Sequence, residues 1–557
     1  MSCVLVIGLD GGTFDLILPL VQRGQMPFFA GLLDEGSWGR LASTVPPFTG
    51  TAWSTFATGH DPGRHGILSF QWAERFNYYT KSLGFVDARR LKRPLWHWLS
   101  EAGKRVAVIN VPLTYPPCQV NGVMVTGMMT PADSTEFTYP PELVAELEAY
   151  RIDVNFIREG DSFRRYGLPP KEEMLAEIRN VTQQRTAVCE RLLQQEPWDF
   201  FMVVFTGTDR VNHFFWDDLE PLWGKRPFPD TPSLLLTSLL AYFHELDASI
   251  EKLVTAVGPD THILLMSDHG FGASPTKRFN VNLWLEQQGL LTVNQTASPF
   301  SLAFWRMKVG RIPWLKRIAR RIMSQEMQDN LTDKAKAGGK NSDIVWKKTQ
   351  AFFVPIYFNV GGIEINTVGE HGEGIVHTGQ AYETIRTKII ETLQQMRDPQ
   401  TRQPIVERVA RREEIFSGPY VAQFPDIILV LKPEYAGAGS VAGGELIEQF
   451  VPFRSGEHRP DGIFVARGPQ IAARADIPGL RLVDVPPTIL YLMGQPIPND
   501  FDGRILQEIF TPAYWAENPP SYRDVIGEDG MMRGGNTYSE AEEAEIAKHL
   551  RSLGYLE

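Results

Sequence analysis

Seven residues spread over most of the chain have side chains able to hold a cation or to act as an oxygen nucleophile: Asp10, Thr49, Asp209, His213, Asp268, His269 and His458. Asp10 follows the apolar run VLVIGL at 4–9, Asp209 comes just after FFMVVF at 200–205, and the Asp268-His269 pair follows HILLMS at 262–267. Each run reads as a buried strand of a parallel sheet. In such a sheet ligands bind off the carboxyl edge, so residues far apart in sequence converge there. Asp209 and His213 are four residues apart, which places them on one face if that turn is helical. His458 lies in SGEHRPDG, read as a loop before a strand at 462–466. Carboxylate oxygens and imidazole nitrogens suit Zn2+ and Mn2+. Two such ions roughly 4 Å apart clamp an in-line displacement at phosphorus. The nucleophile would be Thr49, in PPFTGTAWSTFATGHDPGRHGI at 46–67. That stretch reads as a loop, a helix over 51–58 and a turn, with Thr49 beside a helix N-terminus that favours an anion.

Each residue alone has an ordinary reading. Asp10 and Thr49 could cap helices, Asp209 and His213 could form a surface pair, and a single His458 is usually structural. The tetrapeptide Ser-Asp-His-Gly at 267–270 is more telling, because it sets two ligand types in one tight turn. Only three of the 11 histidines fall in the set, and the others need no special role.

The elements that must position these residues alternate strand and helix. Strands are expected at 4–9, 105–111, 122–126, 200–205 and 262–267, with helical spacing over 13–36 and 233–256. Sheet-like runs return at 351–358, 426–431 and 462–466, and a helix is expected over 486–493. The expected class is α/β, a largely parallel central sheet flanked by helices, with helical insertions. Residues 1–290 and 346–510 read as the catalytic core, with a peripheral helical insert at about 135–197. Residues 291–345 read as a basic cap, and 511–557 as a tail with a short helix near 541–553.

With 557 residues the chain can bury a large core. A net charge of −11 excludes general nucleic-acid binding, while small anionic substrates stay compatible with a metal site's local field. The three cysteines, Cys3, Cys118 and Cys189, match no zinc spacing and suggest a reducing compartment. The start, MSCVLVIGLDGG, reads as a first strand and not a signal peptide. No apolar run reaches the roughly 18 residues needed to span a bilayer. A cytoplasmic location is the expectation.

On LDGG at 9–12, TGTAWSTFATGHDPGRHGI at 49–67, the D-x-x-x-H of 209–213, SDHG at 267–270 and the His458 loop, the chain resembles the alkaline phosphatase superfamily. Within it, the type I phosphodiesterase / nucleotide pyrophosphatase branch is the match. The resemblance implies a hydrolase of small phosphorylated substrates with two divalent ions, Zn2+ or alternatively Mn2+. It implies one ion on Asp209, His213 and His458 and the other on Asp10, Asp268 and His269, with Thr49 bridging as nucleophile. A phosphothreonine would form and be hydrolysed by metal-bound hydroxide. Members of this branch usually carry an Asn three residues past HGI, where this chain has Phe70, so the substrate class differs or is open. Asn110 and GMMTP at 127–131 follow strands near the same edge and are expected on the substrate side.

A sulfatase is disfavoured because its nucleophile motif is missing, and neither G-x-G-x-x-G nor a Walker A sequence is present. A phosphomonoesterase or phosphotransferase on the same core is the alternative within hydrolases. A non-catalytic binding protein on this fold is the alternative of another class. Residues 305–321 interleave Arg306, Lys308, Arg311, Lys316, Arg317, Arg320 and Arg321 with Trp305, Trp314 and Ile318. The competing readings are a membrane-surface helix and a cap helix with a solvated basic face, and the solvated face is preferred. It predicts that reversing these Arg and Lys residues to Glu leaves co-sedimentation with anionic vesicles unchanged; a loss of binding would mark a membrane contact.

Overall fold

The computed structural model describes residues 3–71, 84–147, 150–156, 168–224, 227–294, 344–441, 445–525 and 538–555. The basic segment 305–321, and with it most of the expected cap, lies outside the described residues.

Four apolar runs form the middle of a nine-stranded sheet: His262–Met266, Val4–Leu9, Phe200–Phe205 and Val106–Val111, joined on one side by Gly122–Thr126. These five strands are mutually parallel. Every residue of the first four is buried, as their unbroken apolar sequences require of strands covered on both faces. The flanks are mixed. Asp461–Arg467 pairs antiparallel with His262–Met266, and Thr138–Tyr139 pairs antiparallel with Gly122–Thr126. The chain is therefore α/β around a largely parallel sheet.

A second apolar core lies apart from the main one. It is built from Phe279, Trp284, Ile363, Ile389, Ile427 and Leu429, among others. It packs on a four-stranded antiparallel sheet of Ala351–Tyr357, Val360–Ile365, Ile427–Leu431 and Val406–Arg411. Sequence spacing identified these strands but not their separate sheet, because alternation does not say which strand pairs with which.

Four local expectations change. The helix expected over 51–58 begins two residues earlier, as Thr49–Thr58 with Phe48 as N-cap. Gly50 is tolerated there because first-turn amides have no intrahelical acceptor to lose. Residues 13–36 split into Phe14–Gln22 and Pro27–Glu35, the second starting at a proline suited to a first turn. His458 lies not in a loop but in Gly456–Arg459, a short strand paired antiparallel with Gly270–Ala273. The stretch read as a peripheral helical insert contributes Thr138–Tyr139 and a 3-10 turn, and its long helix Lys171–Gln195 buries Met174, Leu175 and Ile178 in the main core.

The turn after the Thr49 helix is held by His65. Its Nδ1 accepts from Ile67 N–H at 3.1 Å, which leaves Nε2–H to donate to Thr55 Oγ1 at 3.0 Å. Protonation would cost the Ile67 bond. Burial, with His60 nearby, lowers the His65 pKa to about 3. The unfolded chain takes up that proton near pH 6.5 and the folded one does not, so stability is full above about pH 6.5 and falls as pH drops. Between about pH 6 and pH 4, wild type should lose roughly 1.4 kcal/mol per pH unit relative to His65→Gln, measured by urea unfolding.

Candidate two-metal active site

The carboxyl ends of the parallel strands deliver the acids. Asp10 directly follows Val4–Leu9, and Asp268 comes two residues after His262–Met266. Asp209 sits in the first turn of the helix Gly207–Phe215, which follows Phe200–Phe205, with His213 one turn on. That helix is tied to the first strand: Thr208 Oγ1 donates to Asp10 O at 2.6 Å and Asn212 Nδ2 to Gly11 O at 2.9 Å. Gly11, at φ +65°, turns its N–H onto Asp268 Oδ1 at 3.1 Å, a conformation that favours glycine. His458 arrives opposite Phe271, two residues beyond His269. Gly456 lets that strand press on the His213 helix, where a Cβ would lie 2.0 Å from Asn212 O.

All seven sequence-predicted residues meet, each at most 1 % exposed. Asp209 Oδ1 is 3.3 Å from both His213 Nε2 and His458 Nε2, and the two Nε2 atoms are 3.0 Å apart. His269 Nε2 is 3.3 Å from Asp268 Oδ2 and 3.6 Å from Asp10 Oδ1. Thr49 Oγ1 is 3.3 Å from the same nitrogen. The groups interleave, since the His269 and His458 rings stack with centroids 3.5 Å apart and Asp209 reaches both.

The hydrogen bonds face outward. His213, His269 and His458 each direct Nδ1 at a backbone carbonyl, of Gly456, Gly270 and Pro47, at 2.9, 3.1 and 3.0 Å. A carbonyl only accepts, so each Nδ1 carries the proton and each Nε2 presents a lone pair inward. The acids are split likewise. Asp10 Oδ2 accepts from Trp53 Nε1 at 3.3 Å, and Asp209 Oδ2 from Arg210 Nη1. Their other oxygens, Asp10 Oδ1 and Asp209 Oδ1, together with Asp268 Oδ2, are buried without a hydrogen-bond partner among the described residues. Inward lone pairs and bare carboxylate oxygens at 3.0–3.6 Å repel one another unless cations lie between them. The donor set therefore fits two divalent ions held by N and O ligands.

The electrostatics agree. Burial and the neighbouring Asp268 and Asp209 push Asp10 well above the usual carboxylate range, and burial, with Asp209, does the same to Asp268. Burial would also raise Asp209, but its cationic neighbours, the Arg210 guanidinium on Oδ2 among them, hold it well below that range. Burial lowers His213 to about 4 and His269 further, so both are neutral ligands at neutral pH.

Asn110 lies outside this group. It is buried at φ +61°, its amide donating to Val204 O at 3.2 Å and accepting from Tyr150 OH at 3.3 Å. Met128, Met129 and Thr130 of the GMMTP segment line a cavity of about 500 Å3 together with Tyr150, Asp153 and Ile546. Asp153 is bonded to Arg210 Nη2 at 2.6 Å, so Arg210 joins that wall to Asp209. Phe70 stands edge-on to Phe48 at 4.5 Å, beside Gly50 and the start of the Thr49 helix.

Sequence reasoning missed Trp53, Arg210, Arg454, Glu457 and Tyr555. Arg454 Nη1 lies 3.1 Å from His213 Nε2, and its Nη2 bonds buried Glu457 at 2.8 Å. Arg210 adjoins Asp209, and Arg454 and Glu457 precede His458 in RSGEH, so proximity to a candidate ligand was the available signal. Tyr555 carried none.

The family model of type I phosphodiesterase / nucleotide pyrophosphatase matches residues 4–444. The chain belongs to this family. It is thereby a phosphoester hydrolase of the alkaline phosphatase superfamily, whose members are metal-dependent. Its fold is similar to that of phosphonoacetate hydrolase from Sinorhizobium meliloti 1021 in complex with phosphonoformate, with TM-score 0.50 and 15% identity, covering 88% of this chain and 95% of that one. Human ectonucleotide pyrophosphatase / phosphodiesterase 5 is also similar, with TM-score 0.47 and 15% identity, covering 92% and 100%. Comparison with curated protein sequences gives no match. No helix among the described residues is long and apolar enough to cross a membrane.

The crowded acids make a thermodynamic prediction. In chelator-stripped protein, Zn2+ or Mn2+ at 100 times its Kd should stabilise the fold by about 2.7 kcal/mol, read as a rise in unfolding midpoint. Asp268→Asn keeps an acceptor for Gly11 N–H but removes one repelling charge. It should be more stable than wild type without metal and respond less to metal.

Proposed function

We propose that this hydrolase cleaves a phosphodiester or pyrophosphate bond of a small phosphorylated substrate through a phospho-Thr49 intermediate at a two-cation site. One ion would sit on Asp209, His213 and His458, and the other on Asp10, Asp268 and His269. The observation that carries the reading is the position of Thr49 Oγ1, at a helix N-terminus and 3.3 Å from His269 Nε2 where the two ligand groups meet.

Two bound divalent cations, Zn2+ or Mn2+, would supply Lewis acidity that lowers the pKa of the Thr49 hydroxyl and neutralises charge on the leaving oxygen. Thr49 Oγ1 gives up its proton to solvent and attacks phosphorus; the P–Oγ1 bond forms as the bond to the leaving oxygen breaks, and that oxygen takes a proton from solvent. First-turn amides of the Thr49–Thr58 helix, which no side chain among the described residues caps, favour the negative charge spread over the phosphoryl oxygens. Water then attacks the same phosphorus and breaks the P–Oγ1 bond, which restores the hydroxyl and releases phosphate or phosphomonoester. The outward Nδ1 bonds of His213, His269 and His458 keep their rings from turning during both steps.

Phe70 gives the phosphoryl group an aromatic edge where an amide donor would stand in the related nucleotide pyrophosphatases. Selectivity for the group beyond phosphorus would thus rest on apolar contact more than on hydrogen bonding at that place.

Thr49→Ala should lower turnover of bis-p-nitrophenyl phosphate by at least about 10^3-fold while keeping the wild-type metal content by elemental analysis. Near-full activity in that variant would remove Thr49 as nucleophile. Rates on p-nitrophenyl phosphate measured alongside decide diester against monoester action; a faster monoester would favour the phosphatase reading.

A further inference from the structure

We propose that the segment Leu553–Gly554–Tyr555 is part of the active centre, with Tyr555 positioning Asp209 for its cation. The inference rests on the two-cation reading above.

The helix Glu540–Ser552 docks on the main core through buried Ile546 and Leu550. Gly554, at φ +79°, then turns the chain inward in a left-handed conformation. The Tyr555 hydroxyl donates to Asp209 Oδ2 at 3.0 Å and accepts from Arg210 Nη1 at 3.2 Å. Asp209 is the acid shared by His213 and His458. With Oδ2 held by a phenol and a guanidinium, the carboxylate cannot rotate, and Oδ1 is the oxygen left for a cation. Groups of this kind around a metal ligand are typically worth 10- to 100-fold in metal affinity.

The tyrosine is itself fixed. Its ring meets Phe70, His213, Phe48 and His458 edge-on or tilted, with centroids 5.5, 5.7, 5.9 and 6.1 Å away. One residue of the same segment steadies the other side of the half-site. Leu553 O accepts from Arg454 Nη1 at 2.8 Å, the nitrogen that lies against His213 Nε2. A solely structural tail would need neither contact, since Ile546 and Leu550 already anchor the helix.

The test is Zn2+ binding to the full chain at pH 7.5, by competition with a chromogenic chelator, with Mn2+ in parallel. Wild type should take up two equivalents. Tyr555→Phe keeps the ring and loses the hydroxyl; one equivalent should weaken about 10- to 100-fold, the second should not change, and the metal-free unfolding midpoint should stay put. Tyr555→Leu should show the same loss of affinity with a lower midpoint. Unchanged affinity in Tyr555→Phe overturns the proposal, and so does an equal weakening of both equivalents with a lower midpoint, which marks a structural role. A wild type that binds no metal would bring down the two-cation reading and this inference together. Two tight equivalents in both wild type and Tyr555→Phe would bring down this inference alone.

Discussion

Three buried carboxylates facing one another is the constraint on which the rest of this molecule turns. Asp10, Asp209 and Asp268 each point an oxygen that has no hydrogen-bond partner among the described residues into one small volume, 3.3–3.6 Å from imidazole lone pairs. The three side chains are at most 1 % exposed, so the repulsion is poorly screened. A fold accepts such an arrangement when something of opposite charge comes in to relieve it. The surroundings relieve only part of the strain: Arg454 Nη1 lies against His213 Nε2 and Thr49 Oγ1 against His269 Nε2, while the inner oxygens of the three acids find no donor among the described residues.

That arrangement follows from the sheet. Five parallel strands end on one edge, and their polar residues are the first that no longer need to be buried in the apolar layer. Backbone groups just past the first strand and in the short antiparallel pair beside the sheet become the partners of the site. Gly11 N–H holds Asp268, and the carbonyls of Gly270 and Gly456 hold His269 and His213. The small antiparallel pairing of Gly456–Arg459 with Gly270–Ala273 then sets His458 against His269 with no side-chain contact needed to align them. Backbone groups thus orient the imidazoles and Asp268, while side chains hold Asp10 and Asp209.

Around Thr49 the surface is aromatic. Phe48, Phe70, Tyr357 and Tyr555 ring the cluster, with Tyr357 5.0 Å from both the Phe48 and the His458 rings. Their low-dielectric rings strengthen each charge interaction inside the cluster. The chain segments that build this wall come from regions that share no strand of the central sheet, so specificity can drift while the ligand set stays put.

The candidate ligand residues, their order and their places at strand ends were legible in the chain because parallel strands buried on both faces leave an unmistakable apolar signature, and an acid soon after such a run has one edge to go to. Asp10, Asp209 and the Asp268-His269 pair are of this kind, and His213 follows from helical spacing. What the chain did not show is whatever depends on contacts across long loops. His458 looked like a loop residue because a four-residue strand carries no periodicity of its own. The start of the Thr49 helix was misplaced by two residues because a first turn makes few bonds that propensity could report. The bonds of the Asn110 amide to Val204 and Tyr150 are likewise contacts that spacing along the chain does not report. Tyr555 gave no signal at all: a single tyrosine after a short amphipathic helix acquires meaning only when tertiary packing sets it beside Asp209, an acid more than half the chain away. Local sequence determines which groups reach the edge of the sheet; the packing of distant segments decides which of their atoms stay free to bind.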